Sequence, residues 1–224
     1  MKTLSELDQL TQQTRRRDFE DGLVDFIYAV LFLVLGLLTW FALSPTGMRW
    51  YINAVIRNRE ITLLMFILIL GLFILVLFGS RRLVDHLRQS VFWKERGFTK
   101  PLHQQVRWPT QLLATIISLG IILGAFLLTL RGRVDPVIAL RSVVAAGGVA
   151  TGITFLGIGL DLSIKRYQIV AFCGMMVSAL ILFYPFSFAA SWLVFGMAWG
   201  LILGLSGTWA LRKTVQKGEE INHE

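Results

Sequence analysis

An all-α polytopic membrane protein, built as a bundle of six transmembrane helices, is the fold class that this 224-residue sequence predicts. Three observations lead there. Hydrophobic residues make up 55% of the chain and charged residues 16%, outside the usual range for a soluble domain. Six apolar stretches each reach or approach the roughly 20 residues that a helix needs to cross a ~30 Å hydrocarbon core. Most of the charge lies between those stretches. The longest gap, Ser80–Pro109, is thirty residues, too short for a soluble domain with its own core.

Residues 1–21 form the first segment, polar and expected to be helical. Thr3 and Glu6 have the spacing of a capping box, and Leu4, Leu7 and Leu10 make a narrow apolar stripe. Such a helix is expected to lie on the cytoplasmic membrane surface. Arg15, Arg16 and Arg17 follow, where anionic headgroups attract each basic residue by about 1 kcal/mol. A topology signal is the simpler role for them. The first span is Leu23–Leu43. Apolar sequence starts only after the polar segment, and Phe41–Ala42–Leu43 is not a small-residue cleavage site, so this span is expected to remain as a signal anchor.

The second span is Ile61–Gly79. Leu83, Val84, Leu87 and Val91 continue it at helical spacing, with Arg81, Arg82, Asp85 and Arg88 opposite. A helical cytoplasmic extension to about Glu95 is expected, ended by Gly97 and Pro101. Its basic face is the candidate docking surface for a cytoplasmic partner, with a solvated connector as the simpler reading. The later spans are Thr110–Leu130, Pro136–Leu160, Gln168–Pro185 and Ala189–Leu211. Asp135 and Pro136 read as an N-cap followed by proline at the first helical position. The membrane domain thus runs 22–211, with the cytoplasmic loop 80–109 inside it and a cytoplasmic tail 212–224.

The net charge of +8 is explained by topology. With the N-terminus inside, all six lysines fall on the cytoplasmic side, and only Arg49, Arg57, Arg59, Arg131, Arg133 and Arg141 fall outside. The positive-inside rule then puts both termini in the cytoplasm and the protein in the plasma (inner) membrane, with no nucleic-acid partner required. Six of the seven tryptophans lie near predicted interfaces; Trp199 falls mid-span.

Small residues recur at four-residue spacing in the later spans: Gly120 and Gly124, Gly148 and Gly152, Gly174 and Ser178, then Gly196, Gly200 and Gly204. Lipid tails are as apolar as leucine, so membrane helices gain contact by close backbone approach at such positions. Spans three to six are expected to pack as one unit, with the bulkier first two at the periphery. A homo-oligomer contact or a gliding surface would use the same pattern.

Ionisable residues inside the apolar stretches are scarce. Asp21 and Asp25 share one face at the cytoplasmic end of the first span, near Tyr28, and Asp161 precedes Lys165 by four. Arg141 lies within snorkelling reach of the outer surface. The midplane holds only Thr115, Ser118, Thr151, Thr154 and Ser178 as polar content. His86, His103 and His223 fall in loops or tails, and neither HExxH nor a Walker A sequence is present. Cys173 is the single cysteine, which excludes an internal disulfide. The reading is therefore non-enzymatic, with no catalytic residues, cofactor or metal.

Two function classes remain. One is a membrane-embedded accessory or scaffold subunit acting through helix packing and a basic cytoplasmic surface. The other is a small transport component for an uncharged or amphipathic solute, with Thr151, Thr154 and Trp199 as candidate cavity lining. In topology alone, six spans with inside termini resemble ATP-driven exporter permeases and the substrate-capture subunits of vitamin uptake systems. The connection around Pro185 is too short for the re-entrant helices of the former.

Overall fold

The computed structural model describes residues 19, 21–57, 60, 67, 71, 86 and 108–222. Among these described residues there are six helices and no strand. They are α1 (Leu23–Leu43), α2 (Pro45–Arg57), α3 (Trp108–Leu130), α4 (Pro136–Asp161), α5 (Lys165–Phe183) and α6 (Phe188–Asn222). Five of them, all but α2, are long and apolar enough to cross a membrane. Apart from Phe19, Asp21, Ile67, Gly71 and His86, the expected N-terminal surface helix, the second span Ile61–Gly79 and its extension, with Arg15, Arg16, Arg17, Arg81, Arg82 and Arg88, lie outside the described residues. The chain divides into two compact units, Met1–Leu37 with Pro101–Glu224 and Leu38–Lys100.

Local chemistry sets the helix ends. Before α1, Gly22 takes φ +74°, a conformation open to glycine at little cost. A Cβ there would also lie 2.6 Å from the carbonyl oxygen of Gly207, so two constraints select the same residue. The Leu23 N–H donates to Asp21 Oδ1 at 3.1 Å, satisfying one of the orphan donors of the first turn. At α4 the expected cap is present: Asp135 Oδ1 accepts from the Val137 N–H at 2.8 Å, and Pro136 follows it. Between α4 and α5 the chain reverses in three residues, Leu162 to Ile164, both of which are buried. Asp161 closes α4 and Lys165 opens α5, so the two lie on successive helices on either side of the reversal.

Helices α1, α4, α5 and α6 share one core. At its centre Trp199 of α6 lies between Phe32 of α1 and Phe155 of α4, stacked on both at 24°, with centroids 5.5 and 5.9 Å away. Gly174 of α5 makes the room, since a Cβ there would enter the Trp199 ring. Offset stacking of this kind is favoured by the ring quadrupoles and adds to the area buried.

The first helix is not peripheral. A Cβ on Gly36 would lie 2.6 Å from the Cα of Gly196, and one on Gly200 would lie 2.5 Å from Leu33 Cγ. The stripe on α6 therefore receives α1, because its glycines remove the side chains that would hold the two backbones apart. Gly204, further along, has Ala29 Cβ at 4.0 Å. Gly148 faces Ser178 between α4 and α5, and Gly152 faces Met175 there. Gly120 and Gly124 on α3 have no atom within 4 Å of a built Cβ. Helix α3 instead presents Leu112, Ile116, Leu119, Leu123 and Leu127 outward, as a lipid-facing helix does.

Hydroxyls in the apolar layer bond to backbone. Ser118 Oγ lies 2.7 Å from the Ala114 carbonyl of its own helix and 3.1 Å from that of Ala146 on α4. Where no water is available, such partners must come from within the protein.

Gly200→Leu is expected to lower stability by about 1–3 kcal/mol, the usual cost of overpacking, read by thermal unfolding in detergent. Gly124→Leu should leave the transition unchanged, because its Cβ meets nothing.

Candidate functional site

The most polar buried point of the described structure is Asp25, in the first turn of α1 and 0% exposed. A carboxylate in an apolar span is costly unless paired. Here its partners come from two other helices. The Tyr167 hydroxyl, on α5, donates to Asp25 Oδ1 at 2.5 Å. The Ser206 hydroxyl, on α6, donates to Oδ2 at 2.9 Å. Arg166, also on α5, places Nη1 3.2 Å from Oδ2, with its side chain only 9% exposed.

The partners hold one another too. The Arg166 guanidinium sits over the Tyr167 ring, 4.9 Å from its centroid, a cation–π contact. Its Nη1 reaches the Ser206 carbonyl oxygen at 3.4 Å and its Nη2 the Tyr167 hydroxyl at 3.5 Å. Phe19 meets Tyr167 edge-on at 5.5 Å, and Phe155 packs against that ring at 5.5 Å. The polar cluster is thus continuous with the aromatic core through Tyr167 and Phe155.

Helix geometry explains why these residue types suit these positions. The N-terminus of a helix carries a partial positive charge. Asp25 lies in the first turn of α1, where an anion is favoured. Arg166 lies in the first turn of α5, where a cation is not, and the Asp25 carboxylate compensates it. Asp21, one turn before Asp25, is also buried.

No family model, no curated protein and no solved structure matches this chain. The functional reading therefore rests on this geometry. A carboxylate with both oxygens engaged by side chains of two other helices acts as a three-helix clamp. Among the described residues, no group of three or more His, Cys, Asp or Glu converges to hold a metal ion.

The remaining residues singled out from sequence are dispersed. Thr151 and Thr154 donate to the Gly147 and Ala150 carbonyls of their own helix, each at 2.9 Å. Trp199 is fully buried, and its Nε1 has no hydrogen-bond partner, as is also true of Trp192 Nε1. Tyr28 meets Phe155 edge-on, centroids 6.2 Å apart. Arg141 does not reach outward: it is 7% exposed, and its Nη1 donates to the Tyr184 carbonyl just beyond the end of α5. A cation there meets the negative end of the helix dipole.

Sequence reasoning found Asp25 and missed Arg166, Tyr167 and Ser206. The available signal was the need of an apolar-span aspartate for a counter-charge, with Arg166 among the few cations at the ends of the later spans.

Asp25→Ala leaves Arg166 buried and uncompensated, so a loss of about 3–5 kcal/mol is expected, read by thermal or chemical denaturation in detergent. The double variant Asp25→Leu with Arg166→Met should recover most of it, since an apolar pair restores what the missing charge left unbalanced. Tyr167→Phe keeps the ring and removes one bond to a charged group, an expected cost of about 1.5–3 kcal/mol.

Proposed function

We propose that this chain is a non-enzymatic, membrane-embedded accessory or scaffold subunit with six spans and both termini in the cytoplasm. The observation that carries the reading is the Asp25 clamp. Its one carboxylate is spent on holding α1 to α5 and α6, a structural use of the most polar buried group in the described bundle. The Trp199 stack next to it fills the space between the same helices with aromatic rings. Such an interior suits a fixed frame that presents its surfaces to others.

The five described spans together with the apolar stretch Ile61–Gly79 support this six-span reading. The placement of all six lysines on one side supports cytoplasmic termini and a plasma (inner) membrane location. In this arrangement the Asp25 cluster lies at the cytoplasmic end of the bundle. The basic segments around Arg15 to Arg17 and Arg81 to Arg88 serve as the surface for anionic headgroups or for a cytoplasmic protein partner. A second copy of the chain is the other candidate partner.

One observation favours a second reading, a transport component for an uncharged or amphipathic solute. The buried Nε1 atoms of Trp192 and Trp199, seven residues apart on α6, have donors to offer. A solute bearing a carbonyl or hydroxyl group would engage them.

Purification of the full chain from its native membrane in a mild detergent, with mass analysis of what stays bound, separates the two. The subunit reading expects a stoichiometric cytoplasmic or membrane partner that is lost on charge reversal at Arg81, Arg82 and Arg88. A partner-free protein retaining a small solute would replace it with the transport reading. Reporter fusions within residues 90–105 should register the cytoplasmic side. Outside labelling there would invert the topology.

A further inference from the structure

Helix α2 is an element that neither the spans nor the Asp25 clamp accounts for. It has 13 residues, a length of about 20 Å at the α-helical rise, too short to cross the hydrocarbon core. Its sequence is amphipathic around the axis. At 100° per residue, Met48, Tyr51, Ile52, Val55 and Ile56 occupy one arc, Thr46 and Asn53 lie on the far side with Trp50, and Arg49 sits at the boundary beside Ile56. Both arcs are open. Met48, Tyr51, Ile52 and Ile56 are 50%, 53%, 52% and 77% exposed, and Thr46, Arg49 and Asn53 are exposed as well.

The link to the preceding span fixes where this helix starts. Ser44 alone separates α1 from α2. Its hydroxyl donates to the Phe41 carbonyl at 2.7 Å and accepts from the Gly47 N–H at 3.1 Å, so one side chain closes α1 and caps α2. A Cβ on Gly47 would collide with the Phe41 carbonyl, so the backbone of α2 is folded tightly onto the last turn of the span. A helix that begins one residue beyond a membrane span begins at headgroup depth.

We propose that α2 is an interfacial anchor whose partner is the surface of the same bilayer, in the leaflet at the Leu43 end of α1. Its apolar arc enters the boundary between headgroups and acyl chains. Arg49 and Asn53 face phosphates and water, and Trp50 and Tyr51 supply the aromatic side chains favoured at that depth. Charge agrees with the partner: the segment contains two arginines and no acidic residue. The proposal rests on the membrane reading and adds to it a surface that fixes the depth of the first span.

The test uses the full chain with Cys173→Ser, reconstituted in nanodiscs of phosphatidylcholine and phosphatidylglycerol. Spin labels are placed singly through Met48→Cys, Arg49→Cys, Ile52→Cys, Asn53→Cys and, as a reference on the outward face of α3, Leu119→Cys. Power saturation then compares accessibility to oxygen, which enters hydrocarbon, with that to a nickel chelate, which stays in water. The expected result is a several-fold higher oxygen-to-nickel ratio at Met48 and Ile52 than at Arg49 and Asn53, with Leu119 in hydrocarbon. Nickel access at all four α2 sites, with Leu119 still in hydrocarbon, would overturn this proposal alone. Shielding from both reagents at Met48 and Ile52 would overturn it in favour of a protein partner or second copy. Nickel access at Leu119 would overturn the membrane reading and the proposal together.

Discussion

In a hydrocarbon solvent a carboxylate and a guanidinium have no water to share their charge with, so each must find the other or a set of dipoles inside the protein. Asp25 and Arg166 meet that requirement across two helices, with the Tyr167 and Ser206 hydroxyls completing the shell. The arrangement fixes the angular positions of α1, α5 and α6 at one end of the bundle. Rotating any of them by one residue would withdraw a partner from a buried charge. Hydrophobic matching gives little such guidance in lipid, where one apolar face is much like another.

The aromatic core depends on that registration. Trp199 needs flat faces on both sides and an absent side chain behind it, which Phe32, Phe155 and Gly174 supply from three different helices. Tyr167 belongs to both systems: its hydroxyl joins the clamp and its ring packs against Phe155. Gly36 and Gly196 bring α1 and α6 close enough for the stack to form.

The five described helix spans were legible in the sequence because they depend on length and hydropathy alone. The first, Leu23–Leu43, has the bounds expected for it, and the Asp135–Pro136 start of α4 follows from local cap chemistry. What escaped was long-range. Glycine spacing shows that some neighbour comes close but not which one, so the α6 stripe gave no sign that α1 would occupy it. Asp25 stood out by its apolar surroundings, whereas Arg166 blended into the cations counted for topology. Tyr167 and Ser206 are ordinary residues of their helices until the fold brings them to a carboxylate. Helix α2 was hidden by length, since thirteen residues starting at Pro45 read as a connection between spans.

Separation along the chain gives the clamp a place in time. Tyr167 follows Asp25 by 142 residues and Ser206 by 181. At synthesis rates of roughly 5–20 residues per second, about 7–30 s pass between the appearance of the aspartate and that of its tyrosine. During that interval the first helix has entered the membrane pathway with a carboxylate and none of its eventual partners. Insertion of this protein therefore includes a waiting period, in which Asp25 is held by water, headgroups or the insertion machinery until the fifth helix is made.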